Sequence, residues 1–160
     1  MRLGFGDKIV HLVHGPGVVQ GVCERQVNGT PGQFYVIKMM IARADVYVPI
    51  LETAVLRPVM DRIDLPKLER ILGSKPGCLP DKRFMRHALI EQKMIKPDAG
   101  RLAEIICDLA CFMKNNPTSS SRDYDLLRRA ENLLCAEWAL AEDISLDAAH
   151  ECLHRALKAN

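Results

Sequence analysis

The hydrophobic pattern of this chain changes once, near residue 60, and no single layer of secondary structure accommodates both halves. Up to Pro49 the apolar residues come in short β-rich runs: Ile9-Val10, Val18-Val19, Val22, Phe34 to Ile37 and Val46 to Val48. From Asp64 onward they recur every three or four residues, the period of a helix face. Strands followed by helices, without alternation, is the pattern of an α+β chain built as two domains. The expected division is 1–58 and 59–160.

The first half carries turn signals between its runs: Gly15-Pro16-Gly17, Asn28-Gly29 and Pro31-Gly32. Asn28-Gly29 suits a tight hairpin, because both residues tolerate positive φ. Four or five strands in about fifty residues are too few for a sandwich, and they suit a small bent barrel of the SH3 or Tudor kind. In Val46-Tyr47-Val48 the tyrosine should face opposite to the two valines. Pro49 closes the last expected strand, and residues 51–60 read as a connector. Such a barrel leaves an edge strand that can accept a partner's strand.

The second half reads as five helices. Asp64 is an expected cap for a short helix with Leu65, Leu68, Ile71 and Leu72 on one stripe, stopped by Gly73. A second helix lies between Pro80 and Pro97, with Leu89, Met85 and Ile90 as its apolar footing. Asp98 caps a third, carrying Leu102, Ile105, Ile106, Leu109 and Met113. A polar loop ending in Ser119-Ser120-Ser121 starts the fourth and longest, in which Leu127, Ala130, Leu134, Trp138 and Ala141 step by three and four. Trp138 thus reads as core. Ser145 caps the last, with Ala149, Leu153 and Leu157 on its buried side.

Charge is distributed unevenly. Residues 61–97 hold nine Lys or Arg against five Asp or Glu, and residues 98–160 hold seven against eleven, although the whole chain is only +2. The cations concentrate in the second helix and the loop before it: Lys75, Lys82, Arg83, Arg86, Lys93 and Lys96. On a helix Lys82 and Arg86 are neighbours, as are Arg83 and Arg86. A basic face beside an acidic tail suits a polyanion, while a solvated helix face is the plainer reading of the same residues.

Chemistry-bearing motifs are sparse. There is no Gly-rich phosphate loop, no H-E-x-x-H and no G-x-S-x-G. The six cysteines form no C-x-x-C pair and read as buried thiols. His11 and His14 would face opposite ways on a strand. His150 and His154 share a helix face but lack a clear third ligand, so a small metal protein built on His/Cys pairs is the weaker alternative. No apolar run approaches the roughly 20 residues of a membrane span, and a cytoplasmic protein is expected.

With these residues in view, a resemblance emerges. Gly6-Asp7-Lys8-Ile9-Val10, His14-Gly15-Pro16-Gly17-Val18-Val19, Phe34-Tyr35-Val36-Ile37-Lys38 and Val46-Tyr47-Val48-Pro49 resemble the N-terminal barrel of the CarD/CdnL family of bacterial transcription regulators. Residues 101–109 and 127–142 resemble helices of that family's second domain. The barrel alone also resembles the polymerase-interaction domain of the transcription-repair coupling factor, but the helical half has no helicase motif. The resemblance implies a non-enzymatic protein that needs no cofactor. Its barrel would dock on the RNA polymerase β subunit, and its helical domain would contact promoter DNA at the upstream edge of the melted bubble.

Carried over by position, Arg25 matches a polymerase-contacting arginine and Tyr47 stands where some members have another, so that Arg25, Val46, Tyr47 and Val48 are the expected polymerase-binding set. Arg83, with Phe84 beside it, falls where members commonly have a tryptophan wedge. Arg86 matches a basic position. Lys82, Arg83, Phe84, Arg86 and Lys93 are therefore the expected DNA-contacting set. A polymerase-binding module without the wedge is the alternative.

Overall fold

The structure, a computed structural model, describes residues 1–158. They divide into two compact units, Met1–Val59 and the chain from Met60 onward.

The first unit is a five-stranded antiparallel sheet of β1 (Lys8–His11), β2 (Gly15–Val27), β3 (Thr30–Met39), β4 (Asp45–Pro49) and β5 (Leu56–Pro58), in the order β4-β3-β2-β1-β5. Ile9, Val19, Tyr35, Ile37, Met39, Val48 and Leu56 form one cluster that draws on all five strands. Residues of both edge strands can share a cluster only if the sheet curls, and the β-bulge between Val19 and Gly21 adds the local bend. The β2–β3 hairpin turns on Asn28 (φ 51°) and Gly29 (φ 76°), the paired left-handed residues of a type I′ turn. This is the tight hairpin expected from the sequence.

Two features differ from expectation. Residues 56–58, placed in the connector, form β5 and pair with β1 from Ile9↔Pro58 to His11↔Leu56. A three-residue strand containing a proline has no pattern of its own; its partner creates it. The rings of His11 and His14, expected to point apart, have centroids 4.7 Å apart. The chain leaves the strand after His11, whose Nδ1 accepts the Val13 and His14 amide hydrogens at 3.1 and 3.2 Å. Burial and the neighbouring His14 lower the His11 pKa, consistent with an Nδ1 that must stay unprotonated to accept.

Gly17 is a packing glycine. A Cβ there would lie 2.9 Å from the Ile37 Cγ2 and the Lys38 carbonyl oxygen, and 3.0 Å from the Met39 sulfur. Because Lys38 O is backbone, the strand pair itself must spread to admit a methyl group. Gly17→Ala is expected to destabilise this unit by about 1–3 kcal/mol. Urea unfolding monitored by circular dichroism checks this; an unchanged midpoint would show that the ladder yields freely.

The second unit is helical: α1 (Leu65–Leu72), α2 (Arg83–Lys93), α3 (Ala99–Asn115), α4 (Ser121–Glu142) and α5 (Leu146–Lys158). Its core includes Leu68, Leu72, Ile90, Leu102, Ile105, Ile106, Leu109, Leu126, Leu134, Trp138 and Leu153. Trp138 is core, as expected, and donates its Nε1 hydrogen to Glu142 at 3.0 Å.

Asp98 caps α3 by accepting from the Arg101 amide at 2.8 Å. Ser120 and Asp123 form a reciprocal capping box at the start of α4. Asp64 makes no side-chain cap; Asp61 instead caps the short 3₁₀ turn Arg62–Asp64 ahead of α1. Among the described residues no helix is long and apolar enough to cross a membrane.

Candidate functional site

Two surfaces collect the residues singled out above, one on each unit, and α2 carries most of them. Its N-terminal end follows a loop pinned by buried Leu79 and by Gly77, whose amide donates to Asp108 of α3 at 2.7 Å. Lys82 is the N-cap, and Arg83 and Phe84 open the helix. Phe84 is 85% exposed, among the most exposed large apolar side chains described. Lys82 and Arg83 are exposed beside it. An aromatic ring standing in water next to two cations contributes little burial to this chain.

Arg86 is not on this surface. Expected to contact DNA, it is 2% exposed and packed inward. Its Nε and Nη2 donate to the two carboxylate oxygens of Asp123 at 2.8 and 2.9 Å. Its Nη1 donates to the carbonyls of Pro80 and Asp81, both at 2.9 Å. The guanidinium lies 4.1 Å from the centroid of the Phe112 ring. The physical reason is chemical matching: a planar fork with five donors satisfies a buried carboxylate and two carbonyls at once, which a lysine could not.

Burial tends to raise the Asp123 carboxyl. Hydrogen bonds from Arg86, from the Ser120 amide and hydroxyl, and from His87 outweigh it, holding the group well below the usual carboxylate range. The Asp123 hydrogen bond raises the Arg86 pKa in turn.

Lys93 is also drawn in. Half-buried, its Nζ lies 3.6 Å from Asp108 Oδ2, so its charge is partly answered within the fold. Of the apolar footing, Ile90 is fully buried, Leu89 partly, and Met85 points outward. The five expected DNA residues therefore separate: Lys82, Arg83 and Phe84 are displayed, Lys93 is paired and Arg86 is structural. An ion pair between Arg122 and Glu91 further ties α4 to α2.

Ser120, His87 and Asp123 lie together, yet not as a hydrolytic triad. His87 Nε2 faces both Asp123 Oδ1 at 3.0 Å and Ser120 Oγ at 3.3 Å. A triad needs the carboxylate on one ring nitrogen and the hydroxyl on the other. The Ser120 hydroxyl donates to Asp123 and accepts from its amide, which is helix capping.

On the first unit, register places Arg25, Val36, Lys38 and Tyr47 on one face of the sheet, opposite to Ile37 and Val48. The Arg25 guanidinium stacks 3.9 Å from the Tyr47 ring centroid. The two candidates thus meet in a cation–π pair on the outer face. Tyr47 is 39% exposed and Val46 partly buried. Val48 points into the core, so its side chain is not a contact residue; only its backbone on the edge strand β4 can be. Nothing in the sequence signalled the Arg25–Tyr47 contact across twenty-two positions.

Of the six cysteines expected to be buried, Cys107 and Cys135 are buried and Cys78 is exposed. Burial pushes the Cys107 thiol up to about 11 and the Cys135 thiol up to about 12, leaving both as thiols at neutral pH. The rings of His150 and His154 stack at 6.4 Å, and His150 Nδ1 lies 3.4 Å from Cys135 Sγ. Among the described residues no group of three His, Cys, Asp or Glu side chains could hold a metal ion.

Comparison with known proteins covers nearly the whole chain. Residues 3–60 match the CarD-like/TRCF RID domain, and residues 67–154 match the CarD C-terminal domain. The chain is 27% identical over 145 residues to the Bacillus subtilis (strain 168) protein named "Putative transcription factor YdeB", covering 88% of this chain and 93% of that one. With a curled antiparallel sheet followed by five helices, and both domain matches in the same order, this chain is a member of the CarD family of transcription regulators.

Proposed function

We propose that the protein binds the RNA polymerase β subunit through the outer face and edge strand of its sheet, and promoter DNA through the N-terminal end of α2, modulating the stability of the open complex. The observation that carries the DNA half is Phe84. A large ring held in solvent at the start of an anchored helix, directly after Lys82 and Arg83, suits insertion beside an opened base step while the cations meet phosphates. The polymerase half is supported by the Arg25–Tyr47 pair beside an edge strand, which offers side-chain anchors and unpaired backbone together.

The mechanism is a tether. Docking on polymerase raises the local concentration of the α2 tip at the promoter. The tip shifts the equilibrium only through contacts made better to melted than to closed DNA. With Arg86 inside and Lys93 paired, Lys82 and Arg83 are the displayed cations of the expected DNA set, and their phosphate contacts should give the salt dependence of DNA binding a slope of only about −2 in log–log form. Free protein should thus bind DNA weakly.

Capture of the polymerase β lobe by the full chain tests the anchor. Arg25→Glu is expected to weaken that capture by about tenfold or more, since it replaces a stacked arginine with the opposite charge. Undiminished capture would place the polymerase contact elsewhere.

A further inference from the structure

Helix α2 begins against its local physics. Its N-cap, Lys82, makes no side-chain cap, and the first turn contains no acid. Lys82 and Arg83 sit instead at the positive end of the helix dipole, where cations are disfavoured. Phe84 contributes almost no burial. A short helix with such an end frays unless tertiary contacts hold it.

Arg86 supplies those contacts. From the first turn of α2 its side chain folds back onto the carbonyls of Pro80 and Asp81, and it also grips Asp123 in the first turn of α4. Asp123 is itself fixed by the Ser120 amide at 2.9 Å and the Ser120 hydroxyl at 2.8 Å. Lys82, Arg83 and Phe84 therefore lie within a short loop of chain tied at both ends, at Asp81 and at Arg86, to one buried carboxylate network.

We propose that Arg86 and Asp123 are positioning residues: a buried strut that presents Arg83 and Phe84 in one fixed orientation to a duplex opened at a junction. Neither touches DNA. This rests on the reading of α2 as the DNA-contacting element. A target in which a base step is already parted offers one slot, and a ring fixed in advance enters it without a further loss of conformational freedom on binding. A frayed tip would still meet phosphates through its cations, but would no longer distinguish opened from closed DNA.

The test uses the full chain with a fluorescein-labelled forked duplex and a fully paired duplex of the same sequence. It reads the ratio of the two affinities and the salt slope. The double variant Arg86→Met/Asp123→Leu removes both charges together, a replacement that often preserves stability. It is expected to melt near the wild type and to keep the salt slope, while its fork-to-duplex ratio falls to that of Phe84→Ala. A merely structural pair would leave the ratio unchanged once folding is preserved. A folded double variant with the wild-type ratio overturns the proposal.

Should the double variant fail to fold, Arg86→Lys takes its place with the same two outcomes, because an ammonium cannot span the carboxylate and both carbonyls. If Phe84→Ala itself keeps the wild-type ratio, the DNA reading fails and the strut proposal falls with it. That result is separable because it appears with Arg86 intact.

Discussion

Asp123→Ala is expected to destabilise the protein by about 3–5 kcal/mol at pH 7, the usual result of removing one partner from a buried ion pair. Arg86 would be left at 2% exposure with its charge unanswered, and α4 would lose one half of its capping box. Much of the loss is the penalty of stranding a guanidinium, not the worth of the bond. Removing both partners in Arg86→Met/Asp123→Leu should therefore recover most of it.

The effect has a defined pH dependence. The folded Asp123 carboxyl lies well below its unfolded value of about 3.9. A depressed carboxyl contributes stability that is fully present above the unfolded pKa and lost as pH falls through the folded one. The gap between wild type and Asp123→Ala should be constant from pH 5 to 7 and narrow progressively below about pH 4. Guanidinium-induced unfolding at each pH measures it. A gap that stays level down to pH 2 would mean the ionised carboxylate is not its source.

The second large effect concerns the tip of α2. Combining Arg83→Glu with Phe84→Ala removes the exposed ring and reverses one of the two displayed cations, without touching a buried residue. Stability should change by no more than about 0.5 kcal/mol, as for surface substitutions generally. In single-round transcription with polymerase present, the effect of the protein on open-complex lifetime should fall about tenfold or more, corresponding to about 1.4 kcal/mol of lost differential binding. An unaltered lifetime would favour the alternative in which the protein docks on polymerase without contacting DNA. Arg25→Glu should abolish the effect by a different route, loss of the tether, and raising the protein concentration should restore it only in that case.

Comparing residues shows where sequence was sufficient. Asn28-Gly29 and Asp98 were legible because a turn or a cap is decided within three or four residues, by φ and by one side-chain oxygen. The burial of Trp138, Leu134 and Ile105 was legible because helical period repeats over several turns. The strand Leu56–Pro58 was not legible, since its ladder depends on β1, more than forty residues earlier. The candidate site was legible only in part. Composition located the cationic stretch, but residue type says nothing about which cation faces water.

By itself, then, the sequence determined the two-part α+β architecture, the tight hairpin and the Asp98 cap, all of which follow from local conformational preference and periodicity, whereas the cap expected at Asp64 did not form. Only the tertiary structure decided that Arg86 turns inward while Phe84 stands out, and that Arg25 stacks on Tyr47. The reason is distance along the chain. Arg86 finds its carboxylate thirty-seven residues away, and the preference for burying a guanidinium exists only once Asp123, Pro80 and Phe112 have been brought around it.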